Sequence, residues 1–395
     1  MAKRNIRMKE FEANIEKIHI PTDEYLKKSP SLNKEQAYFQ RTDENGFIQS
    51  NLFFNEDFKV VIIGDSFVEN IFVDESKRIH SIIETRFLNI GKKVKVYNAG
   101  VSGATGLGML NTILNKIVYL KPDLIIYVQP CCDFSALLYK QGYFNDSKFF
   151  SNLVPSSEKD TPYFETIENN AKQILNNICL VSKLCEINDI KLSIATCCSI
   201  SSKRQLKIMN DIIRNNISFG YKLIDLDNII PKSELYFYDN VHLNWKGSDF
   251  LGDILFNHIN DNFSIKHSKV EHKKQLIKFE NVVFNKLNNS EIIEIKNNSR
   301  LSISFKFNNI NKDKKGHLFI NLKVLYFING AINHTEIHKI KHPIGYELES
   351  SIALHATKTK YDALQIELSV DNHDTPINID YFYLHHIYEN QGDML

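Results

Sequence analysis

The stretch Lys59-Val60-Val61-Ile62-Ile63-Gly64-Asp65-Ser66-Phe67 decides how the chain is read. Its apolar, β-branched run stops abruptly at Gly-Asp-Ser, and a helix-like pattern follows. Such a run has the composition of a strand buried on both faces of a parallel sheet. It predicts a serine hydroxyl at the carboxyl end of that strand, the side on which open α/β sheets place their ligands. Short apolar runs of this kind at 59–63, 93–98, 123–129, 191–197 and 222–226 predict strands. Helical patterns fill the gaps at 76–90, 106–120, 165–188, 203–217 and 244–260. Gly91 and Pro122 are stop signals for the first two helices, and Asn244 is an N-cap for the last. Alternating βαβ units imply a parallel sheet with helices on both faces.

The rest of the chain has a different texture. Residues 1–55 are polar and mixed, with an amphipathic helix expected over 6–18 and a turn at Arg41–Phe47, where Asn45-Gly46 supplies a positive φ. The segment 139–164 has no clear period, contains Gly142, Pro155 and Pro162, and carries Tyr139, Tyr143, Phe144, Phe149, Phe150, Tyr163 and Phe164. Loops of this length are often functional, and its rings could stack on sugars or pin the loop to its own domain. Lys266–Lys274 reads as a linker. Beyond it, alternating runs at 277–284, 291–296, 301–307, 317–328, 335–340, 346–353, 363–370 and 377–388 predict an all-β, jelly-roll-like sandwich. The expected organisation is an N-terminal extension (1–55), an α/β domain (56–264) and a β-sandwich domain (275–395).

Composition narrows the function. The chain has 395 residues and is 43% hydrophobic, enough for more than one core. A net charge of +1 with dispersed Lys and Arg gives no footprint for nucleic acid. No signal-peptide pattern or run of about 18 apolar residues is present, so no membrane span is predicted and a cytoplasmic location is expected, with an extracellular or surface-associated one as the alternative. The six cysteines, at 131, 132, 179, 185, 197 and 198, make a poor disulfide framework and lack zinc spacing. His334, His338 and His342 fall four apart but lack the partners of a metal site, so no metal or cofactor is expected.

A serine hydroxyl is a weak nucleophile without a base. Asp239-Asn240-Val241-His242 supplies one: His242 can accept the proton of Ser66 while Asp239 holds the imidazole in the right tautomer. The developing oxyanion needs donors. The backbone N–H of Ser66 is one, and Gly103, in the loop Asn98–Gly106 that follows the second strand, is another.

Ile63–Phe67, the glycine loop and Asp239-x-x-His242-Leu-Asn together resemble the SGNH, or GDSL, hydrolase superfamily over residues 58–262. The resemblance implies a flavodoxin-like three-layer α/β/α fold, Ser66 as nucleophile, His242 as base, Asp239 as its partner and Gly103 as oxyanion donor. One element departs from the family pattern. Where a Gly-x-Asn-Asp motif is expected the chain has Gln129-Pro130-Cys131-Cys132-Asp133, which puts Cys132 at the asparagine position. A thiol donates poorly compared with an amide. Three outcomes stay open: Gln129 or a backbone N–H replaces the asparagine, the enzyme is slow or specialised, or the site is degenerate. Cys132 could also be a nucleophile if its pKa were depressed.

The expected activity is removal of small O-acyl groups, acetyl first, from a carbohydrate. Asp65, Tyr139 and Tyr143 are assigned to substrate contact, and Trp245 to packing of the last helix against the sheet, with the border of the site as its alternative. The alternatives are an O-acyltransferase with the same triad, and a non-catalytic glycan-binding protein. The C-terminal domain is expected to bind carbohydrate, to pack on the α/β domain or to form a homo-oligomer.

Overall fold

The computed structural model describes residues 3–389, apart from 30, 51, 53–55, 157–163, 165, 202, 267–270, 285–287, 290–291, 295–299, 309–315, 355–360 and 372–376. Five parallel strands form one sheet in the order Val94–Gly100, Phe58–Gly64, Leu124–Val128, Lys191–Ala195, Lys222–Ile224. Numbered along the chain, this is the order 2-1-3-4-5 of flavodoxin-like sheets, whose ligand crevice opens where the order reverses. Here that point lies between Phe58–Gly64 and Leu124–Val128, so Ser66 and the Gln129–Asp133 turn leave the sheet side by side.

Strand periodicity feeds two cores. Val61, Ile63, Ile125 and Tyr127 join one buried cluster with Met109, Ile178, Val181 and Ile213 of the helices on that face. Val60, Ile62, Leu124 and Ile126 join the other, with Ile83, Phe87, Leu251 and Leu255. Helix ends follow the sequence signals. Ile79–Asn89 stops at Gly91, whose φ of 71° and N–H bond to the Leu88 carbonyl form a C-terminal cap. The Asn244 side chain accepts from the N–H groups of Lys246 and Gly247 at the start of Trp245–Asn262.

The C-terminal half consists of two mainly antiparallel sheets. One contains Glu271–Phe284, Ile377–Glu389, Arg300–Asn308 and Glu347–Leu354; the other is built around His317–Ile328, Ala331–Pro343 and Ala363–Val370. Phe305, Phe307, Leu348 and Phe382 from the first share a cluster with Ile320, Leu322, Val324 and Ile366 from the second. The expected linker at 266–274 is partly strand, since Glu271 begins one; residues 267–270 of it lie outside the described residues.

The N-terminal stretch differs most from expectation. No helix forms over 6–18. Asn5–Ile6 pairs with Leu153–Val154, Asn14 takes a left-handed φ of 55°, and Glu16–His19 pairs with Gln36–Arg41. A short isolated helix has little stability of its own, and here strand partners are within reach. Gln36–Arg41 then lies parallel to Glu347–Leu354 and extends the first C-terminal sheet. The Arg41 guanidinium binds both carboxylate oxygens of Glu75 at 3.0 Å and the Ser351 carbonyl, while the Ser350 hydroxyl donates to Glu75 at 2.5 Å. Gln36 donates to Asp74 at 2.8 Å. Residues 16–41 thus join the parallel-sheet unit to the C-terminal sheets.

Candidate active site

Asp65 ends the strand Phe58–Gly64 and caps the short turn of helix that starts at Ser66; its Oδ1 accepts from the Phe67 N–H at 3.1 Å. Ser66 is thereby held half-buried at the sheet's carboxyl edge. The Ser66 Oγ and His242 Nε2 are 2.8 Å apart, and His242 Nδ1 lies 2.7 Å from Asp239 Oδ2. The second oxygen of Asp239 accepts from the N–H groups of Val241 and His242, so the Asp-x-x-His spacing closes one turn around a single carboxylate. Burial pushes the Asp239 carboxyl up, but the hydrogen bonds and charge of His242 outweigh it, and its pKa lies below the ordinary value. The Tyr238 ring stacks on the imidazole at 5.5 Å and 11°. This chain of contacts can move a proton from Ser66 Oγ to His242 Nε2 while Asp239 stabilises the imidazolium.

The opposite side of the site is sewn to the Ser66 turn. Glu69 Oε2 accepts from the Ser102 N–H at 2.6 Å and from the Ser102 hydroxyl. A Cβ at Gly100 would stand 2.3 Å from the Glu69 nitrogen, so glycine is required for the loop to lie against that turn. Gly103 has a φ of 73°, in the left-handed region. The other oxygen of Asp65 accepts the Cys132 N–H at 3.1 Å. The structure therefore brings the loops of Ser66, Gly103 and Cys132 together.

Several assignments from the sequence need correction. Asp65, read as a substrate contact, is 1% exposed, and its carboxylate holds the helix cap and the Cys132 loop. Tyr143 is buried and donates to Asp133 at 2.5 Å, while Tyr139 packs against Phe150. Neither ring faces solvent, since both are buried; Tyr163 lies outside the described residues. Trp245 does not pack into the last helix's core: it is 53% exposed, with the ammonium groups of Lys77 and Lys246 over its ring. Burial pushes the Cys132 thiol up, which removes the basis for a thiolate nucleophile. Gln129 does not replace the absent asparagine, since it is buried and its amide donates to Asp133 at 2.6 Å.

Three residues were missed in the sequence. Asp133, its pKa raised to about 7 by burial, gathers Tyr143, Gln129 and the Gly106 N–H, and so locks the glycine loop to the third strand's turn. Tyr25 donates to Asp239 Oδ2 at 3.3 Å. Lys9 donates to the Gly103 carbonyl at 2.7 Å. Both of the last two come from the N-terminal stretch, and no local motif announces them. Among the described residues no group of three or more His, Cys, Asp or Glu is arranged to hold a metal, and no helix is long and apolar enough to cross a membrane. The cysteines are free thiols.

No protein-family model matches the chain, and no curated protein matches it. Solved structures do. An acetyl xylan esterase is similar over 51% of this chain and 100% of its own, with 17% identity and a TM-score of 0.39. A lipase/acylhydrolase from Enterococcus faecalis is similar over 53% of this chain and 98% of its own, with 17% identity and a TM-score of 0.40. The psychrotrophic esterase EstA from Pseudoalteromonas sp. is similar over 52% and 98%, with 14% identity and a TM-score of 0.39.

Proposed function

We propose that the chain is a serine esterase of the SGNH type that removes small O-acyl groups, acetyl foremost, from a carbohydrate. The observation that carries this reading is the unbroken chain Ser66 Oγ, His242 Nε2, His242 Nδ1, Asp239 Oδ2 at the reversal point of the sheet. Ser66 Oγ attacks the acyl carbonyl as its proton passes to His242. The tetrahedral oxyanion is held by backbone N–H groups of Ser66 and Gly103. Collapse breaks the ester bond, and His242 returns the proton to the departing sugar oxygen, leaving acyl-Ser66. Water then attacks the acyl carbon, gives a proton to His242, and the carboxylic acid leaves as Ser66 Oγ recovers it.

The carbohydrate part rests on the family resemblance and on exposed rings, Trp245 three residues after His242 and Phe144 and Phe149 on the long loop. The two C-terminal sheets, read as a β-sandwich, would then present or orient the polymer. The contacts of Ser66 with His242 and of His242 with Asp239 favour an enzyme over a glycan-binding protein with a residual fold. Ser66→Ala is expected to lower hydrolysis of p-nitrophenyl acetate by at least about 10⁴-fold with an unchanged Tm. Turnover at the wild-type rate would defeat the nucleophile assignment. A screen of O-acetylated oligosaccharides then identifies the sugar by release of acetate.

A further inference from the structure

The oxyanion side of the site has a thiol where an amide is expected, and neither Cys132 nor Gln129 supplies a good donor. A cation stands close by. Lys9 Nζ donates to the Gly103 carbonyl at 2.7 Å and lies 3.5 Å from the Ser102 carbonyl. It is 2.7 Å from the point a Gly103 Cβ would occupy, so it covers the open face of the oxyanion glycine. The Ser102 carbonyl and the Gly103 N–H belong to one peptide unit, so a cation at that carbonyl polarises the N–H that would face the oxyanion.

The charges around Lys9 place it among the parts of the site. Burial and then the Arg7 guanidinium lower its pKa, while the Cys132 thiol and the Glu69 carboxylate act in the opposite direction. No carboxylate among the described residues comes within ion-pair distance of it. An ammonium has three N–H donors, and two carbonyls take at most two. A half-buried cation left without a counter-ion is costly in structural terms alone, and such groups mark functional sites.

Its position is fixed from both sides. Upstream, the Arg7 guanidinium donates to the carbonyls of Lys148, Phe149 and Ser151, and Asn5–Ile6 pairs with Leu153–Val154. Downstream, Glu10 pairs with Lys116 at 2.9 Å, and a Cβ at Gly46 would collide with the Phe11 carbonyl. A surface lysine free to wave in solvent would have no such splint.

We propose that Lys9 is the third oxyanion donor of this site: anchored on the Gly103 carbonyl, its ammonium supplies the positive charge that an asparagine amide at position 132 would otherwise supply. This rests on the esterase reading of Ser66. The donor is charged, so its hydrogen bond to an oxyanion is stronger than an amide's. No bond to Lys9 forms or breaks; it lowers the energy of the tetrahedral intermediate and is released unchanged.

The test uses the full chain and p-nitrophenyl acetate. Lys9→Met is expected to lower kcat by roughly 10²-fold with little change in KM and an unchanged Tm. The decisive variant adds Cys132→Asn. In the Lys9→Met background it is expected to restore most of the lost kcat. A structural lysine would not be rescued by an amide at position 132. The proposal is overturned if Lys9→Met turns over at the wild-type rate, if it raises KM alone, or if Cys132→Asn fails to restore a folded Lys9→Met variant. Labelling of wild-type Ser66 by a fluorophosphonate keeps the two readings apart. Labelled wild type with an indifferent Lys9 defeats the lysine alone; unlabelled, inactive wild type defeats both.

Discussion

The base half of the site and the oxyanion half are built by opposite strategies. Asp239 and His242 sit three residues apart in one turn, and a single carboxylate satisfies that turn's N–H groups and the imidazole together. The proposed oxyanion half draws on four separate segments: the Ser66 turn, the Gly103 loop and the Cys132 turn, joined by Asp65 and Glu69, and the stretch around Lys9, held on the Gly103 carbonyl. A local motif tolerates little change in its own residues but little disturbance reaches it from elsewhere. A dispersed one, on the reading proposed for Lys9, can do without one donor and take another from a distant part of the chain.

The largest effect should come from breaking the local half. Asp239→Asn keeps the shape but releases the imidazole's tautomer, and kcat is expected to fall about 10³–10⁴-fold in ester hydrolysis. The dispersed half should respond less to a single change. Gly103→Ala forces a side chain onto a left-handed backbone and against Lys9, and a loss of roughly 10–10²-fold in kcat is expected. If both substitutions cost the same, the contrast between the halves fails. Tyr25→Phe probes a long-range contact of the base half. Its 3.3 Å bond to Asp239 is weak, and kcat should drop by about 2–5-fold.

The smallest effect concerns the platform that carries the N-terminal stretch. Burial and the neighbouring Glu349 carboxylate raise the Asp74 pKa to about 6. A carboxyl raised in the folded state binds its proton more tightly there than in the unfolded chain. Its contribution to stability is therefore full below the unfolded value and is lost as pH rises through about 6. Asp74→Asn should raise Tm by about 2–4 °C at pH 7 and by less at pH 4.5, as read by thermal unfolding. An equal rise at both pH values would exclude the titration of Asp74 as its cause.

The same contrast explains what could be read in advance. The five parallel strands were visible because each is a short β-branched run between turn signals, and Ser66, Asp239 and His242 because local chemistry marks them. Lys9 and Tyr25 were invisible: they meet their partners 94 and 214 residues away, and nothing in a polar, basic stretch distinguishes one lysine from its neighbours. The helix expected over 6–18 failed because strand partners elsewhere in the fold outweigh a weak local preference. Tyr139 and Tyr143 were misread because an aromatic in a polar loop has two readings, and only the hydrogen bond of Tyr143 to buried Asp133 selects between them. Asp65 carried a usable signal, since an aspartate just before a helix is a common N-cap.

The parallel pairing of Gln36–Ala37 with Glu347–Leu348 has a consequence for how the protein is made. Arg41 and its acceptor carbonyl at Ser351 are 310 positions apart. At about 5–20 residues per second, the second leaves the ribosome about 15–60 s after the first. For that interval the parallel-sheet unit can collapse around its own cores, while the paired strands Glu16–His19 and Gln36–Arg41 wait with one edge bare. Such an edge is a template for joining another chain. Biosynthetic yield should then depend on chaperones that shield nascent strands, and a lowered expression temperature should help more than any repair of the catalytic unit itself.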